Sequence, residues 1–132
     1  MSDNTIITLK RREQLCLATS GAISTVTPVA AIAFGSGGVD AAGDPIPPEA
    51  AANMLNAELA RYPINFIEYP LDPAARTTAR YSATIPPNDL VGASISEAAL
   101  VDRNGALCAI KTMFVKQKDA NVAFTFTFDD EF

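Results

Sequence analysis

The sharpest periodicity in the chain lies near its end. Val122, Phe124, Phe126 and Phe128 alternate with Ala123, Thr125, Thr127 and Asp129, the two-residue period of a strand with one apolar and one small, polar face. Just before it, the apolar runs Ile95 to Val101 and Ala106 to Phe114 flank Asp102-Arg103-Asn104-Gly105. Asn104 and Gly105 can both take the positive φ angles of a tight turn, so these runs predict a hairpin. Upstream, Thr77 to Ile85 puts Ala79, Tyr81, Ala83 and Ile85 on one face. With the partly alternating Ile64 to Tyr69 it predicts two strands joined through Pro70 to Ala75. Val29 to Phe34, bounded by Pro28 and Gly35, is too short for an ordinary helix and reads as a buried strand.

Two segments carry helical signals. From Thr8 to Ala18, Leu9, Cys16 and Leu17 can share one side while Lys10, Arg11, Arg12 and Gln14 fall largely on the other, with Gly21 as a terminal cap. From Pro48 to Arg61 strong helix formers dominate: Pro48 suits the first turn, Glu49 and Arg61 complement the dipole, Met54, Leu55 and Leu59 mark an apolar face, and Tyr62-Pro63 stops the run. Between them, Gly35 to Pro48 reads as a long surface loop. The order of elements predicts a single α+β domain over residues 1–132: an antiparallel β-sheet with a C-terminal hairpin and closing strand, and two short helices packed on it.

Composition narrows the partners. The chain has 132 residues, 48% hydrophobic and 19% charged, enough apolar surface for one core. Its net charge is −5, and apart from Lys10-Arg11-Arg12 its 10 basic residues are scattered. That argues against nucleic acid and against an anionic membrane surface, both of which need clustered cations. The polar start MSDNTIITLKRREQ does not read as a signal peptide, and no stretch approaches the roughly 18 apolar residues of a membrane span; synthesis in a cytoplasm and no membrane insertion are expected. Cys16 and Cys108 are read as reduced packing residues.

The chain has no histidine, which removes Ser-His-acid and Cys-His chemistry. A two-carboxylate glycosidase would need Glu97 and Asp102 as its acids; the simpler reading makes Glu97 a solvent-facing strand residue and Asp102 a turn former. Gly35, Gly37 and Gly38 suggest a phosphate loop, but no Gly-Lys-Ser/Thr follows and Asp40 and Asp44 would repel phosphate, so they are read as hinges. Asp40, Asp44 and Asp129-Asp130-Glu131 lack the spacing of a calcium loop, and Lys116-Gln117-Lys118-Asp119 reads as a charged turn. The residues therefore assign no catalytic, cofactor-binding or metal-binding position, and a non-enzymatic role is expected.

Several phrases in order resemble the N-terminal domain of phage tail-collar fibre proteins. IAFGSGGVDAAGDPIPP, residues 32–48, is similar to the family's apolar strand, Gly-rich phrase and Pro-containing loop; LNAELARYPI, residues 55–64, resembles its following helix. ISEAALVDRNGALCAIKTMF, residues 95–114, resembles the family's Ile-Ser-Glu phrase and Gly turn, with Ala98, Ala99 and Val101 at positions that usually hold bulkier residues or glycine. KQKDANVAFTFTFDDEF looks like the closing strand of short members. The resemblance, over about residues 8–132, implies a structural piece of a phage, prophage or phage-like tail, at the tail tip or baseplate. It implies a homo-oligomer, three-fold like the resembled fibres, to which fibre or baseplate proteins attach. Its place would be the virion tail. A carbohydrate-binding or carbohydrate-cleaving tail module and a tail assembly chaperone are the alternatives.

Overall fold

A computed structural model of the chain describes residues 4–70 and 76–132. The elements are β1 (Thr5–Ile7), α1 (Leu9–Thr19), β2 (Val29–Gly35), β3 (Glu58–Pro63), β4 (Phe66–Glu68), β5 (Thr78–Ile85), β6 (Ser94–Asp102), β7 (Leu107–Gln117) and β8 (Phe124–Glu131). They form two antiparallel sheets, one of five strands in the order β1-β7-β6-β2-β3 and one of three in the order β4-β5-β8.

The two sheets face each other across the main core. Ile32, Phe34, Ile95 and Leu100 of the larger sheet meet Ala83, Ile85, Phe126 and Phe128 of the smaller, and Phe34 packs edge-on against Phe126 with ring centroids 5.6 Å apart. A second cluster of Ala33, Ala99, Val101, Leu107 and Ile110 lies on the other face of the larger sheet, with Leu55 laid over it. Strands β2 and β6 are thus buried on both faces, which is why they read as continuous apolar runs while β5 and β8 alternate.

The α+β reading holds with one helix instead of two. Residues 48–57 form no helix, and β3 follows, paired with β2 at Ile32↔Tyr62 and Phe34↔Ala60. Helix propensity amounts to a few tenths of a kcal/mol per residue. Here it loses to a β-ladder, to Leu55 as a buried anchor and to backbone amides claimed by a buried carboxylate. One sheet was expected; the strands divide into two because β5 and β8 pair with each other, from Thr78↔Glu131 to Ile85↔Phe124.

Helix α1 begins as expected, with the Thr8 side chain accepting from the Arg11 amide, but its buried side is inverted. Leu9 and Cys16 are exposed, while Arg11 is buried. Polar anchors dock the helix: an Arg11 guanidinium N–H donates to the Thr27 carbonyl, and Gln14 accepts from the Thr27 amide at 3.2 Å. In the β6–β7 hairpin only Gly105 has positive φ, +86°. Its amide donates to the Asp102 carbonyl at 3.0 Å and the Asp102 amide to the Ala106 carbonyl at 2.9 Å, the three-residue loop of a type I turn followed by a left-handed glycine; the register shift lies farther along, between Leu100↔Ala109 and Val101↔Leu107. Asn104 does not take the left-handed conformation expected of it. The closing strand starts at Phe124, leaving Val122 exposed. From residue 71 to 75 the expected β4–β5 connection lies outside the described residues. Among the described residues no helix is long and apolar enough to cross a membrane.

Candidate functional site

The most constrained point of the molecule is Glu97. Its side chain is 1% exposed. Oε2 accepts from the Gly37 amide at 2.9 Å and the Ala57 amide at 2.8 Å, and Oε1 accepts from the Asn56 amide at 3.0 Å. Beside it the Ser96 hydroxyl accepts from the Gly38 amide at 2.9 Å, and the Asn56 side chain donates back to the Gly37 carbonyl at 2.9 Å. The glycines are required by close approach: a Cβ on Gly35 would stand 2.5 Å from Glu97 Oε2, and one on Gly38 would stand 1.9 Å from the Ser96 carbonyl oxygen. The Gly-rich loop does present an amide to an anion, as a phosphate loop would, but the anion is the protein's own carboxylate. Its glycines are packing positions, not hinges.

Glu97 therefore does not face solvent, and its donors hold two loops together. Asp102 is the turn former expected of it: Oδ1 accepts from the amides of Asn104 and Ala106 at 2.8 and 3.0 Å. The two acids stand five residue steps apart along the strand, roughly 16 Å at about 3.3 Å per residue, beyond the roughly 5 to 9.5 Å of paired glycosidase carboxylates. A depression of about 180 Å³ lies over Glu97, lined by Pro47, Met54, Leu55, Ile110 and Thr112 among others. Asp40 organises its own loop, accepting from the amides of Ala42 and Asp44 at 2.9 and 3.0 Å, and among the described residues no group of three His, Cys, Asp or Glu side chains is placed to hold a metal. Lys118, read as part of a charged turn, is 1% exposed and donates to the Pro87 and Asp119 carbonyls at 2.9 and 3.0 Å. Of the two free cysteines, Cys108 is buried and Cys16 is exposed, so only one is a packing residue.

A second buried polar group lies between α1 and the sheets. Asp130 continues the inward series Phe124, Phe126, Phe128 and is buried. Burial pushes its carboxyl above the ordinary aspartate range, partly offset by the Arg11 charge. Burial likewise pushes the Cys108 thiol up to about 11, which leaves it protonated and unreactive, and raises Tyr81, with the Asp130 charge adding to the effect. Among the described residues Arg11 Nε is buried without a hydrogen-bond partner. In the sequence pattern Arg11 falls on the outer side of its helix and Asp130 enters only as a candidate calcium ligand, although the even-numbered alternation of the closing strand points Asp130 inward directly.

The surface offers two further features. Between the pairs Ile95↔Lys116 and Glu97↔Thr112, β7 carries two more residues than β6, and Phe114 and Val115 project from this irregularity, 65% and 43% exposed. Along β8, the outward side chains form cross-strand contacts with β5: Thr125 with Thr84 at 3.1 Å, Thr127 with Ser82 at 3.4 Å, and Asp129 in a forked ion pair with Arg80 at 2.7 and 3.1 Å. The pairing holds Asp129 below the usual carboxylate range. An open groove of about 440 Å³ runs beside this strand, bounded by Lys111 on the larger sheet. Comparison with protein-family models, with curated proteins and with solved structures finds no match to this chain.

Proposed function

We propose that this chain is a structural component of a phage or phage-like tail, at the baseplate or tail tip, that acts through interfaces with copies of itself and with neighbouring tail proteins. The observation that carries the reading is the convergence at Glu97. Three of the four phrases that resemble tail-collar fibre proteins meet there: Gly37 and Gly38 from the first, Asn56 and Ala57 from the second, Ser96 and Glu97 from the third. A set of residues with one shared mechanical task supports a common origin better than scattered similarities do. The exposed apolar side chains of Phe114 and Val115 and the two-layer sheet core suit a part that works by contact.

Quantitative mass spectrometry of purified tail particles tests the proposal. The chain is expected in fixed ratio to the other tail proteins. Abundance in the lysate with absence from finished particles would replace this reading with that of an assembly chaperone.

A further inference from the structure

Strand β8 is an edge of the smaller sheet, and the direction of its backbone groups follows from the register. The Phe132 amide donates to the Thr77 carbonyl, so that pair is hydrogen-bonded, and bonded and non-bonded pairs alternate along an antiparallel ladder. Thr125, Thr127 and Asp129, opposite Thr84, Ser82 and Arg80, are then the non-bonded members, and their N–H and C=O groups point away from β5 over the open edge. No described strand pairs there.

The other three edges are blunted. β1 and β4 have three residues each, and β3 ends in Pro63 with a register shift against β2. β8 has eight residues, no proline and no irregularity against β5. A long regular edge is a template for another strand unless charge or geometry guards it, and among the described residues the guard here is the acidic end from Asp129 to Glu131.

We propose that β8 pairs antiparallel with β8 of a second copy of this chain about a two-fold axis at Thr127, joining two three-stranded sheets into one of six. Overlap and charge together favour this register: an axis nearer Phe124 shortens the paired length, and an axis nearer Glu131 brings the acids together. With the axis at Thr127, Asp129 lies opposite the partner's Thr125, Phe126 lies beside the partner's Phe128, and Asp130 lies opposite the partner's Phe124. Moving the axis to Asp129 sets acid against acid, which is unfavourable for residues directly opposite. The Thr127 register also brings the partner's acidic end alongside Phe124 to Phe126, where the Lys111 ammonium stands 5.8 Å from the Phe126 ring centroid. Two paired edges of this length fall below the roughly 1,200–2,000 Å² of a standard interface, so the pairing depends on concentration.

Bonded antiparallel partners have Cα atoms about 5.5 Å apart, within the span of a disulfide. In a Cys16→Ser background, Thr127→Cys is expected to form a covalent dimer under mild oxidation, and Ser82→Cys, on the same face but one strand in, is not. Thr127→Lys sets like charges across the axis at an exposed position and is expected to weaken self-association about tenfold or more in sedimentation equilibrium. Equal cross-linking of the two cysteine variants, unchanged association of Thr127→Lys, a strictly monomeric native chain, or a three-chain mass would each overturn the proposal. These measurements use the purified chain alone. Equal cross-linking, an unaffected Thr127→Lys variant or a three-chain mass, the state the resemblance implies, leaves the tail reading standing. A strictly monomeric chain also removes the self-interfaces of that reading, and absence from tail particles leaves the pairing standing.

Discussion

Two carboxylates in this protein are buried to nearly the same degree, Glu97 at 1% and Asp130 at 4% exposure, and they do opposite things. Glu97 receives three backbone N–H groups; the folding of two loops supplies in advance what water would have supplied. Among the described residues only the charge of Arg11 offsets the loss of water at Asp130, and its carboxyl is pushed up accordingly. Depth of burial therefore says little about whether a charge stabilises a fold; the donors that meet it decide.

The largest expected effect is at Glu97. Glu97→Ala leaves the Gly37, Asn56 and Ala57 amides without their acceptor. It is expected to lower stability by about 3 kcal/mol or more, since each buried donor left unsatisfied costs about 1–3 kcal/mol. Glu97→Gln keeps an oxygen for Gly37 and Ala57 but turns an NH₂ toward the Asn56 amide, with an expected loss of about 1–2 kcal/mol. Urea midpoints at constant slope measure both. If the two variants lose nothing, Glu97 is no more of a clamp than Asp130 is.

The loops that Glu97 holds sharpen the same contrast. Gly38→Ala drives a Cβ to 1.9 Å from the Ser96 carbonyl oxygen, an overpacking expected to cost about 2–3 kcal/mol. Gly43→Ala meets nothing within 4 Å and is disfavoured only by its φ of +87°, for about 1 kcal/mol. A reversed order in the two melting temperatures would place the constraint in the loop tip instead of at Glu97.

These differences also explain what could be read from the chain. β5 and β8 were legible because a half-buried strand writes its two faces into alternate residues, and β2 and the hairpin were legible because strands buried on both faces write apolar runs, here set about Asp102-Arg103-Asn104-Gly105. Residues 48–61 were not, because Ala51, Ala52, Leu55, Glu58 and Leu59 favour a helix locally and only the distant β2 and Glu97 make them otherwise. The clamp was half visible: the glycines stood out, but nothing in ISE announces that its carboxylate turns inward. The burial of Arg11 was missed because a guanidinium was assigned to solvent by type, whereas its own N–H anchors α1 to the Thr27 carbonyl.

Asp130→Asn is expected to stabilise the fold near neutral pH, the opposite sign from Glu97. The folded-state pKa of Asp130 lies above its ordinary value near 3.8, so the folded protein holds this proton to higher pH than the unfolded chain does. Its contribution is fully present below that ordinary value and is lost as pH rises through the folded one. The gain from Asp130→Asn therefore shrinks as pH falls toward 3.8, and thermal melts across that range would show it. A gain independent of pH would mean the substitution acts through packing and not through charge.

The smallest effect belongs to the neighbouring residue on the opposite face of the same strand. Asp129 is paired with Arg80 at the surface and titrates below the ordinary aspartate value. Its contribution is present above that value and is lost as pH falls through the folded one, the reverse of Asp130. Solvent and mobile ions screen an exposed pair, so Asp129→Asn is expected to lower the melting temperature only slightly, and less still as salt is raised. The Asp130→Asn gain, arising beneath the sheet, should respond much less to salt. Equal salt sensitivity in the two variants would show that the inward and outward faces of β8 share one electrostatic environment, and the contrast between buried and exposed acids would fail at its closest pair.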